Sequence, residues 1–411
     1  MNIKEIIIFF LVFFSVYFFG NLYIYKRSVL ALALEGRYLN YYRVLFLFIL
    51  LSYPVAKIGT SFFGNFFLSK QLNIIGSVFM GVMLYSLLTI FFVDILRAAN
   101  HFVHFFPDII TKNKILAGRI TFCTVFFIIF CTTAYGLFNA KHLKVIEQEI
   151  FFDKLKAEHS GFTIVQISDI HLGDIINEKF LSKVVEKVNS LEPDLIAITG
   201  DLIDDGATDL NKLNPLANLK SKFGTFFVSG NHDHFIRIRP DTTENKSPIT
   251  SDSANSDTTR QRGFSNSPLG MKLEELQVKI LHSQYVMIDS AFTLFGIENS
   301  WGRRGSGRAI KPVSELIEGY NKESPLIMLK HVPNGLEYIA GAGVDLLLAG
   351  HTHHGQMFPL NFITDEVYEV SHGHGKYENL QIYVNCGTGF WGPPIKVGVP
   401  AEITKIILKN K

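Results

Sequence analysis

The distribution of apolar residues divides the chain into two halves of different character. In the first half, four apolar stretches each run for about 20 residues or more, the length that a helix needs to cross the hydrocarbon core of a bilayer. The first of them is longer than the apolar core of a signal peptide and lacks a small-x-small cleavage site, so we expect it to be retained. The pattern predicts an all-α transmembrane region of about four helices within residues 1–145, with apolar stretches at about 4–25, 44–68, 72–96 and 118–139.

The positive charges between these stretches predict an orientation. Segments 26–43 and 97–119 share one side of the membrane and together carry eight Lys and Arg residues. The other side carries four, or five if Lys57 emerges there instead of snorkelling or facing the bundle interior. Cytoplasmic loops of membrane proteins are enriched in Lys and Arg. We therefore predict an integral, multi-pass membrane protein whose C-terminal domain is extracytoplasmic.

From about residue 150 the pattern changes to short β-branched runs that alternate with amphipathic stretches. Such alternation is typical of βαβ units and predicts an α/β domain over residues 155–411. Residues 239–268 are polar, rich in Ser, Thr and Asn, and without periodicity, so we predict a flexible insertion there; a lid over a site is the alternative. Helices are predicted at 177–190 and 211–221, and strands at Thr163–Ser168, Leu195–Thr199, Thr225–Ser229, Leu326–Lys330 and Leu346–Ala349.

Composition narrows the class of protein. The chain has 37 Phe and only 18% charged residues, which excludes a disordered or fibrous protein. Its first 150 residues carry 13 Lys and Arg against 6 Asp and Glu, whereas the whole chain carries a net charge of only +2. This balance gives no reason to expect a nucleic acid as partner. The three Cys residues are too few and too scattered for a Cys-rich zinc site.

Each of the five predicted strands is followed at once by side chains that can bind a metal ion. In open α/β sheets, ligand sites lie beyond the carboxyl ends of the strands, so these side chains should converge. Taken singly, each has an ordinary explanation as a turn former, a helix cap or a loop residue. Their common position favours one site formed by Asp169, His171, Asp201, Asn231, His232, His331, His351 and His353.

The donor atoms of this set predict the kind of metal centre. Carboxylate, amide and imidazole donors without a thiolate suit Mn, Fe or Zn. The set contains more donors than one ion can use, so we expect two divalent metal ions. A pair of ions needs a bridging carboxylate, and Asp201 stands between other donor groups in the chain. Such a pair can hold a hydroxide and the oxygens of a phosphoryl displacement.

Five short segments resemble the calcineurin-like metallophosphoesterases, in the order that the family shows. They are DIHLG (169–173), GDLID (200–204), GNHDH (230–234), KHVPN around His331, and GHTHHG (350–355). The closing segment and the N-terminal helices look most like the membrane-associated subgroup that includes the YkuE-like and YaeI-like phosphoesterases. The resemblance implies an α/β metallophosphoesterase domain, a two-sheet sandwich flanked by helices.

The resemblance also implies a role for each matching residue. Asp169, His171 and His353 would bind the first ion, while Asn231, His331 and His351 would bind the second. Asp201 would bridge the two ions. His232 would be catalytic, beside the scissile phosphate, where it stabilises or protonates the leaving oxygen. These roles fit the residues in this sequence because no member of the pattern is missing.

Several nearby residues are left open by the sequence. Asp233 either steadies the turn that follows Asn231 or is a solvated loop residue, and His234 and His354 are expected to be neighbours of the site. His372 and His374 either line the pocket or belong to a surface loop. Arg303 and Arg304, with Arg308, lie in the Gly-rich segment WGRRGSGR and either clamp a phosphate group or form a solvated basic loop.

These observations predict a membrane-anchored phosphoesterase with two metal ions. It would hydrolyse a phosphoester or pyrophosphate bond, by attack of a metal-bridging hydroxide, in a membrane or cell-envelope substrate. Its expected partners are the lipid bilayer and a phosphorylated small molecule or lipid. One alternative, drawn from the same subgroup, is a pyrophosphohydrolase of a UDP-diacylated sugar, which would require a cytoplasmic-facing site. The other is a sensor that binds a phospho-ligand without turnover.

Overall fold

The computed structural model describes residues 3–63, 67–204, 209–234, 264–298 and 313–411, apart from residues 318 and 321. The chain forms two compact units, a helical unit and a sheet unit. Most of the predicted insertion at 239–268 lies outside the described residues, as do Arg303, Arg304 and Arg308. The helical unit comprises Met1–Phe138 with Gly392–Ile395, and the sheet unit comprises Asn139–Trp391 with Lys396–Lys411.

The helical unit confirms the predicted all-α N-terminal region. Among the described residues, three helices are long and apolar enough to cross a membrane, namely Gly36–Thr60 within α2, the whole of α3, and α5. A bilayer solvates large apolar side chains, so the length and composition of these helices indicate a membrane protein. The helices of this unit are α1 Ile3–Leu32, α2 Gly36–Phe63, α3 Phe67–Val103, α4 Asp108–Lys112 and α5 Lys114–Asn139.

These helices extend beyond the apolar stretches, so the segments predicted as cationic loops are largely helical. Between α1 and α2 the chain leaves the helix only at residues 33–35. Arg27 and Arg97 consequently lie inside helices, where both pair with Asp94. Tyr23 donates a hydrogen bond to the same carboxylate at 2.5 Å. Part of the positive charge counted for orientation is therefore neutralised within the unit, and the orientation stays a prediction.

The sheet unit contains two six-stranded sheets among its described residues, as the predicted sandwich requires. The first sheet has the order β1-β12-β2-β3-β4-β5, where β2 to β5 are parallel and β12 runs antiparallel to β2. Its strands are β1 Leu143–Phe152, β12 Ala401–Asn410, β2 Thr163–Ile167, β3 Leu195–Ile198, β4 Thr225–Phe227 and β5 Val278–Ile280.

The second sheet has the order β10-β11-β9-β8-β7-β6, and its central strands β7, β8, β9 and β11 are parallel. All five strands predicted from sequence are present, each ending within two residues of its predicted bound. The strands of this sheet are β10 Gly373–Tyr377, β11 Leu380–Val384, β9 Leu346–Ala349, β8 Leu326–Leu329, β7 Phe292–Gly296 and β6 Gln284–Ile288.

Helices cover the outer faces of the sheets. The predicted helix at 177–190 is α6 Glu178–Asn189, whose cap residue Asn177 accepts a hydrogen bond from the Phe180 amide. The stretch predicted as a helix at 211–221 is a 3-10 helix at Leu210–Asn218, because Pro215 cannot donate an α-helical hydrogen bond there. The other helices are α7 Pro268–Glu275, α8 Val313–Leu316, α9 Leu336–Gly341 and α10 Asn361–Val367.

The core of the sheet unit lies in three apolar layers. The middle layer, between the two sheets, contains Phe226, Phe292 and Tyr383. α6 packs on the outer face of the first sheet through Leu181 and Val184. The central parallel strands are buried on both faces, which explains why they read as continuous apolar runs in the sequence. This packing fixes the strand ends, where the polar side chains begin.

Candidate metal centre

The ends of five parallel strands supply the polar side chains of the centre. β2 is followed by Asp169 and His171, β3 by Asp201, and β4 by Asn231 and His232. The loops are tied together by main-chain bonds: the Asp169 amide donates to the Gly200 carbonyl at 2.9 Å, and the His171 amide donates to the Asp201 carbonyl at 3.0 Å. In the second sheet, β8 is followed by His331 and β9 by His351 and His353.

The first group of donors consists of Asp169, His171 and His353, all of them buried. The Nε2 atoms of His171 and His353 lie 3.2 Å apart. Asp169 Oδ1 lies 3.4 Å from His353 Nε2 and 4.0 Å from His171 Nε2. Three donor atoms therefore face one small volume, as around a single metal ion.

The second group consists of Asp201, His331 and His351. Asp201 Oδ2 lies 3.0 Å from His331 Nε2, and His331 Nε2 lies 3.3 Å from His351 Nδ1. The Nδ1 atom of His331 lies 2.7 Å from the Thr199 carbonyl oxygen. A hydrogen bond to that carbonyl places the proton on Nδ1, and the lone pair of Nε2 is then free to bind a cation.

Asp201 and Asp169 connect the two groups. Asp201 Oδ2 is 3.9 Å from His171 Nε2 in the first group, and Asp169 Oδ1 is 4.0 Å from His331 Nε2 in the second. The two groups are therefore adjacent, with a carboxylate between them. This is the arrangement that a bridging carboxylate in a pair of ions requires.

Asn231 and His232 complete the predicted set. The His232 amide donates to Asp201 Oδ1 at 2.9 Å, and His232 Nε2 lies 4.0 Å from Asp201 Oδ2. The ring of His232 meets the ring of His171 edge-on, with centroids 4.9 Å apart. Asn231 Oδ1 is buried without a hydrogen-bond partner among the described residues. A buried amide oxygen is costly unless something satisfies it, and a cation in the second group would do so.

The backbone of the centre is strained at most of the predicted ligands. Asp169, His171, Asp201, His351 and His353 all have φ between 47° and 73°. The left-handed region costs a non-glycine residue about 1–3 kcal/mol, and it persists only where the surrounding structure enforces it. Five such residues at one site indicate that the fold holds these side chains in place against a local conformational preference.

The glycines that precede the ligands are required by close packing. A Cβ on Gly200 would lie 2.6 Å from His331 Nδ1, and one on Gly230 would lie 2.1 Å from Asp201 Oδ1. A Cβ on Gly350 would lie 2.0 Å from Ser168 Oγ. The repeated Gly-Asp, Gly-Asn and Gly-His pairs of the sequence thus let neighbouring strand ends approach closely enough to share one site.

Opposing charges in the centre perturb its pKa values strongly. Burial raises the pKa of Asp169 to about 6, against the attraction of His331. Burial lowers the pKa of His331, but the carboxylates of Asp201 and Asp169 outweigh it and raise the value to about 9. The nearby His residues hold the pKa of Asp201 well below its usual range despite its burial. Without a bound cation, protonated His331 is the counter-charge of the two carboxylates.

Asp233 lies behind the centre, which settles the alternative that the sequence left open. It is buried, and its carboxylate accepts hydrogen bonds from the Asp201 and Gly230 amides at 2.9 and 2.8 Å. It also accepts from the Leu202 and Ile203 amides at 2.9 and 3.3 Å. Asp233 is therefore a positioning residue that joins the loops after β3 and β4, and it is not a solvated loop residue.

The sequence reasoning missed Asp204 and Lys396. Asp204 forms a further group of possible donors with His171 and His232. Its signal was present, because it closes the quoted segment GDLID only three residues after Asp201. Lys396 is fully buried and donates to the carbonyls of Cys386 and Pro400 at 2.9 and 2.8 Å. Burial lowers the pKa of Lys396 to about 8, and no pattern in the sequence pointed to it.

Four further histidines named from the sequence are His234, His354, His372 and His374, and none of them belongs to the two donor groups described above. His234 meets the ring of Phe264 edge-on, with centroids 5.3 Å apart. His354 follows His353 directly, and its ring stacks on that of His372. His374 lies on β10, at an exposed position. The expectation that Arg303 and Arg304 contact phosphate concerns residues outside the described part of the chain.

Comparison with known proteins gives the family of the sheet unit. Residues 162–355 match the family model described as calcineurin-like phosphoesterase. The chain is 31% identical over 271 residues to an uncharacterized metallophosphoesterase of Helicobacter pylori, an alignment that covers 65% of this chain and 64% of that protein. It is 30% identical over 295 residues to a transmembrane protein with metallophosphoesterase domain from Danio rerio, covering 67% of this chain and 60% of that protein.

A further relative has a named activity. The UDP-2,3-diacylglucosamine pyrophosphatase LpxG of Chlamydia muridarum is 28% identical over 295 residues, which cover 64% of this chain and 88% of that protein. The chain spans less than two thirds of the length of the Helicobacter and Danio relatives.

Proposed function

The chain carries a calcineurin-like phosphoesterase domain at residues 162–355, a domain of metal-dependent hydrolases, and from this premise we propose its reaction. The protein is a membrane-anchored phosphoesterase that uses two divalent metal ions. It hydrolyses a phosphoester or pyrophosphate bond in a membrane or cell-envelope substrate. We also propose which side of the membrane the domain faces and which class of substrate it hydrolyses.

One observation carries the proposal most directly. Two triads of buried or partly buried side chains lie side by side at the strand ends, and Asp201 of one triad lies 3.9 Å from His171 of the other. The donors are imidazole nitrogens and carboxylate oxygens, which suit Mn, Fe or Zn. Asp169, His171 and His353 would hold one ion, Asn231, His331 and His351 would hold the other, and Asp201 would bind both.

Several contacts among these side chains are unfavourable by themselves and would be satisfied by bound cations. His171 and His353 point ring nitrogens at each other at 3.2 Å, a contact that needs either a shared proton or a cation. The buried Asn231 oxygen lacks a hydrogen-bond partner among the described residues. A pair of cations held by these residues would supply a nucleophilic hydroxide at neutral pH and would neutralise charge on the phosphoryl oxygens.

His232 is the residue we assign to the leaving group. Its main-chain amide is held by Asp201 at 2.9 Å, so the position of the ring is tied to the proposed bridging carboxylate. Its ring lies against His171, at the edge of the first triad. From this position His232 Nε2 donates a proton, or a hydrogen bond, to the oxygen that leaves phosphorus. It acts on the substrate and does not bind an ion.

Attachment to a bilayer favours a substrate that is itself in or near the membrane. The three candidate spans and the Danio relative, named as a transmembrane protein, support this location. A phospholipid, a lipid-linked sugar pyrophosphate or another cell-envelope phosphoester has the required chemistry. The distribution of Lys and Arg between the two sides of the helical unit favours an extracytoplasmic domain.

A second candidate is a pyrophosphohydrolase of a UDP-diacylated sugar. The observation that favours it is the alignment to the Chlamydia pyrophosphatase, which covers 88% of that protein. This substrate carries a pyrophosphate for the metal pair and acyl chains that remain in the bilayer. It requires a domain that faces the cytoplasm, opposite to the orientation that the charge distribution predicts.

Two substitutions test the metal-dependent mechanism. We expect Asp201→Asn and His232→Ala to lower hydrolysis of bis(p-nitrophenyl) phosphate by at least about 10³-fold, because one removes the bridge and the other the proton donor. Bound metal should fall in Asp201→Asn and stay at the wild-type amount in His232→Ala. Two changes at exposed positions are the matched controls and should keep wild-type activity: Asp153→Asn for Asp201→Asn, and His374→Ala on β10 for His232→Ala. Wild-type turnover by either site variant, after metal contamination is excluded, contradicts the mechanism.

Substrate and orientation are tested separately. Release of UMP from UDP-2,3-diacylglucosamine, measured beside release of phosphate from phospholipids, distinguishes the two candidate substrates. Proteolysis of a C-terminal tag in intact cells distinguishes the two orientations. Protection of the tag together with UMP release would favour the second candidate, whereas cleavage of the tag and no UMP release would favour the first.

A further inference from the structure

A second cluster of metal-ligating side chains lies in the sheet unit, outside the eight residues of the proposed centre. It consists of His354, Asp365 and His372. These residues come from three separate segments: the turn after β9, helix α10, and the segment that enters β10. Neither the metallophosphoesterase resemblance nor the proposed reaction uses any of them.

The three side chains are close enough to share one ion. His354 Nε2 lies 3.3 Å from Asp365 Oδ1. The rings of His354 and His372 are stacked, with centroids 3.5 Å apart and planes inclined by 12°. One donor atom from each of the three residues lies within 4.8 Å of the others. An ion binds in the plane of an imidazole ring, so the two stacked rings would have to rotate out of their parallel arrangement to turn one nitrogen each toward a point beside the carboxylate.

The surrounding hydrogen bonds hold the segments of the cluster together. The Thr352 hydroxyl donates to the Ser371 carbonyl at 2.5 Å, and the His354 amide donates to the Thr352 hydroxyl at 3.1 Å. The Ser371 hydroxyl donates to Asp365 Oδ1 and lies 3.3 Å from His372 Nδ1. The turn after β9 is thereby fastened to the entry of β10, and the Ser371 hydroxyl links that entry to the Asp365 side chain on α10.

The position of the cluster separates it from the proposed centre. His353 faces Asp169 and His171, whereas the next residue, His354, faces Asp365 and His372. The His354 Nε2 atom is buried, but Asp365 and His372 are exposed. A cation can therefore enter from solvent, and water can complete its coordination.

We propose that His354, Asp365 and His372 bind a third divalent ion of the Zn²⁺ class. Two imidazoles and one carboxylate, with water in the fourth position, form a donor set that suits Zn²⁺ and disfavours a hard ion that requires oxygen ligands alone. The ion cross-links α10 and the entry of β10 to the turn that carries His351 and His353. Its role is to hold that turn, and it takes no part in the hydrolysis.

The stoichiometry of bound Zn²⁺ tests the site. The purified full-length protein in detergent is stripped with a chelator, dialysed against Zn²⁺, and its metal content is measured by mass spectrometry. We expect Asp365→Asn and His372→Asn each to bind one zinc equivalent per chain fewer than the wild type. The matched controls change the adjacent carboxylate, Glu366→Gln, and the histidine two positions along, His374→Asn, and both should retain the wild-type content.

Repeating the measurement in an Asp201→Asn background separates this site from the proposed centre. In that background the His372→Asn change should still remove one zinc equivalent per chain, because the cluster of His354, Asp365 and His372 does not include Asp201. Equal zinc content in the wild type and in both cluster variants would overturn the third site while leaving the proposed phosphoesterase intact. The third site is equally overturned if Glu366→Gln and His374→Asn lose as much zinc as the two cluster variants.

Discussion

The helical unit exposes large apolar side chains and buries small residues, whereas the sheet unit buries its large apolar side chains. In the helical unit, Phe126 and Phe130 are 59% and 61% exposed, while Gly76 and Ser77 are buried between helices. In the sheet unit, Phe226 and Phe295 are almost fully buried. A bilayer solvates large apolar side chains, whereas water expels them. The difference shows that the two units of one polypeptide are built for two solvents.

Small residues form the packing contacts between helices in the helical unit, whereas large apolar residues form the contacts between the sheets in the sheet unit. A Cβ on Gly76 would lie 2.5 Å from the Tyr53 amide nitrogen, and one on Gly118 would lie 2.8 Å from the Ala31 carbonyl oxygen. Helices in lipid associate through close backbone packing at such residues, since burial of apolar surface gives no advantage there. In the sheet unit the two sheets are instead held apart by aromatic and branched side chains.

The largest effect should come from exchanging a buried Phe for Ala. Phe295→Ala removes a fully buried ring, and we expect it to lower the free energy of unfolding by about 4 kcal/mol. The same change at the exposed Phe130 should alter stability by less than about 0.5 kcal/mol in detergent. Urea unfolding followed by Trp fluorescence measures the first, and helical circular dichroism the second. Equal losses would contradict the inside-out comparison.

A smaller loss is expected from Asp233→Asn, which tests the polar interior of the sheet unit. The carboxylate accepts from four backbone amides, two on each oxygen, and the Asn side chain replaces one of these oxygens by an NH2 group. Two backbone amides would then face a donor, so stability should fall by about 2–3 kcal/mol. Because these bonds position the loops of Asp201 and Asn231, bound metal should fall as well. The exposed Asp153→Asn should change neither quantity. Unchanged metal content in Asp233→Asn would remove its positioning role.

Next in size is the effect of Gly76→Ala on the helical unit. The new methyl group meets the Tyr53 backbone, which cannot move without separating α2 from α3, so we expect a loss of about 2 kcal/mol. A methyl group on Gly341 in α9 would have nothing within 4 Å, and Gly341→Ala should be neutral or stabilising by about 0.5 kcal/mol. Thermal melts of both variants in the same detergent measure the contrast. A neutral Gly76→Ala would show that close helix packing is not required.

The smallest expected effect is a pH dependence of metal affinity, about 1.4 kcal/mol or tenfold for each pH unit and each proton released. The pKa of His331 is raised to about 9, so below pH 9 its Nε2 must lose a proton to bind a cation. Affinity should therefore fall as the pH falls from 9, and fall more steeply below about 6, where Asp169 also becomes protonated. Calorimetry in buffers of different ionisation enthalpy counts the released protons, and a count of zero at pH 7 would contradict the predicted state of His331.

Much of the sheet unit and of its proposed centre could be predicted from local patterns. Strands that are buried on both faces read as apolar runs, and the residue after each run falls at the sheet edge whatever the order of the strands. The donors from Asp169 to His353 could therefore be found without knowing which strand neighbours which. The long apolar helices could be predicted for a similar reason, since spanning length is a property of one segment alone.

What a local pattern could not give is the partner of each polar group. The sequence left Asp233 between two roles because three of its four backbone donors belong to another loop. It also offered no reason to place Arg27 against Asp94 from another helix. The cluster of His354, Asp365 and His372 joins three segments that have no common period. The 3-10 helix at Leu210–Asn218 departs from the predicted helix because Pro215 overrides the apolar pattern.

The sequence by itself determined which segments are long and apolar enough to span a bilayer, which form strands, and which side chains stand at the strand ends, because each of these follows from residues close together in the chain. Only the tertiary structure decided which of those side chains face one another, which carboxylate accepts hydrogen bonds from backbone amides and which faces imidazole rings, and where a second cluster of metal-ligating side chains arises. Those outcomes depend on the order of strands in two sheets and on the packing of the loops between them, which bring together residues as far apart as His171 and His353.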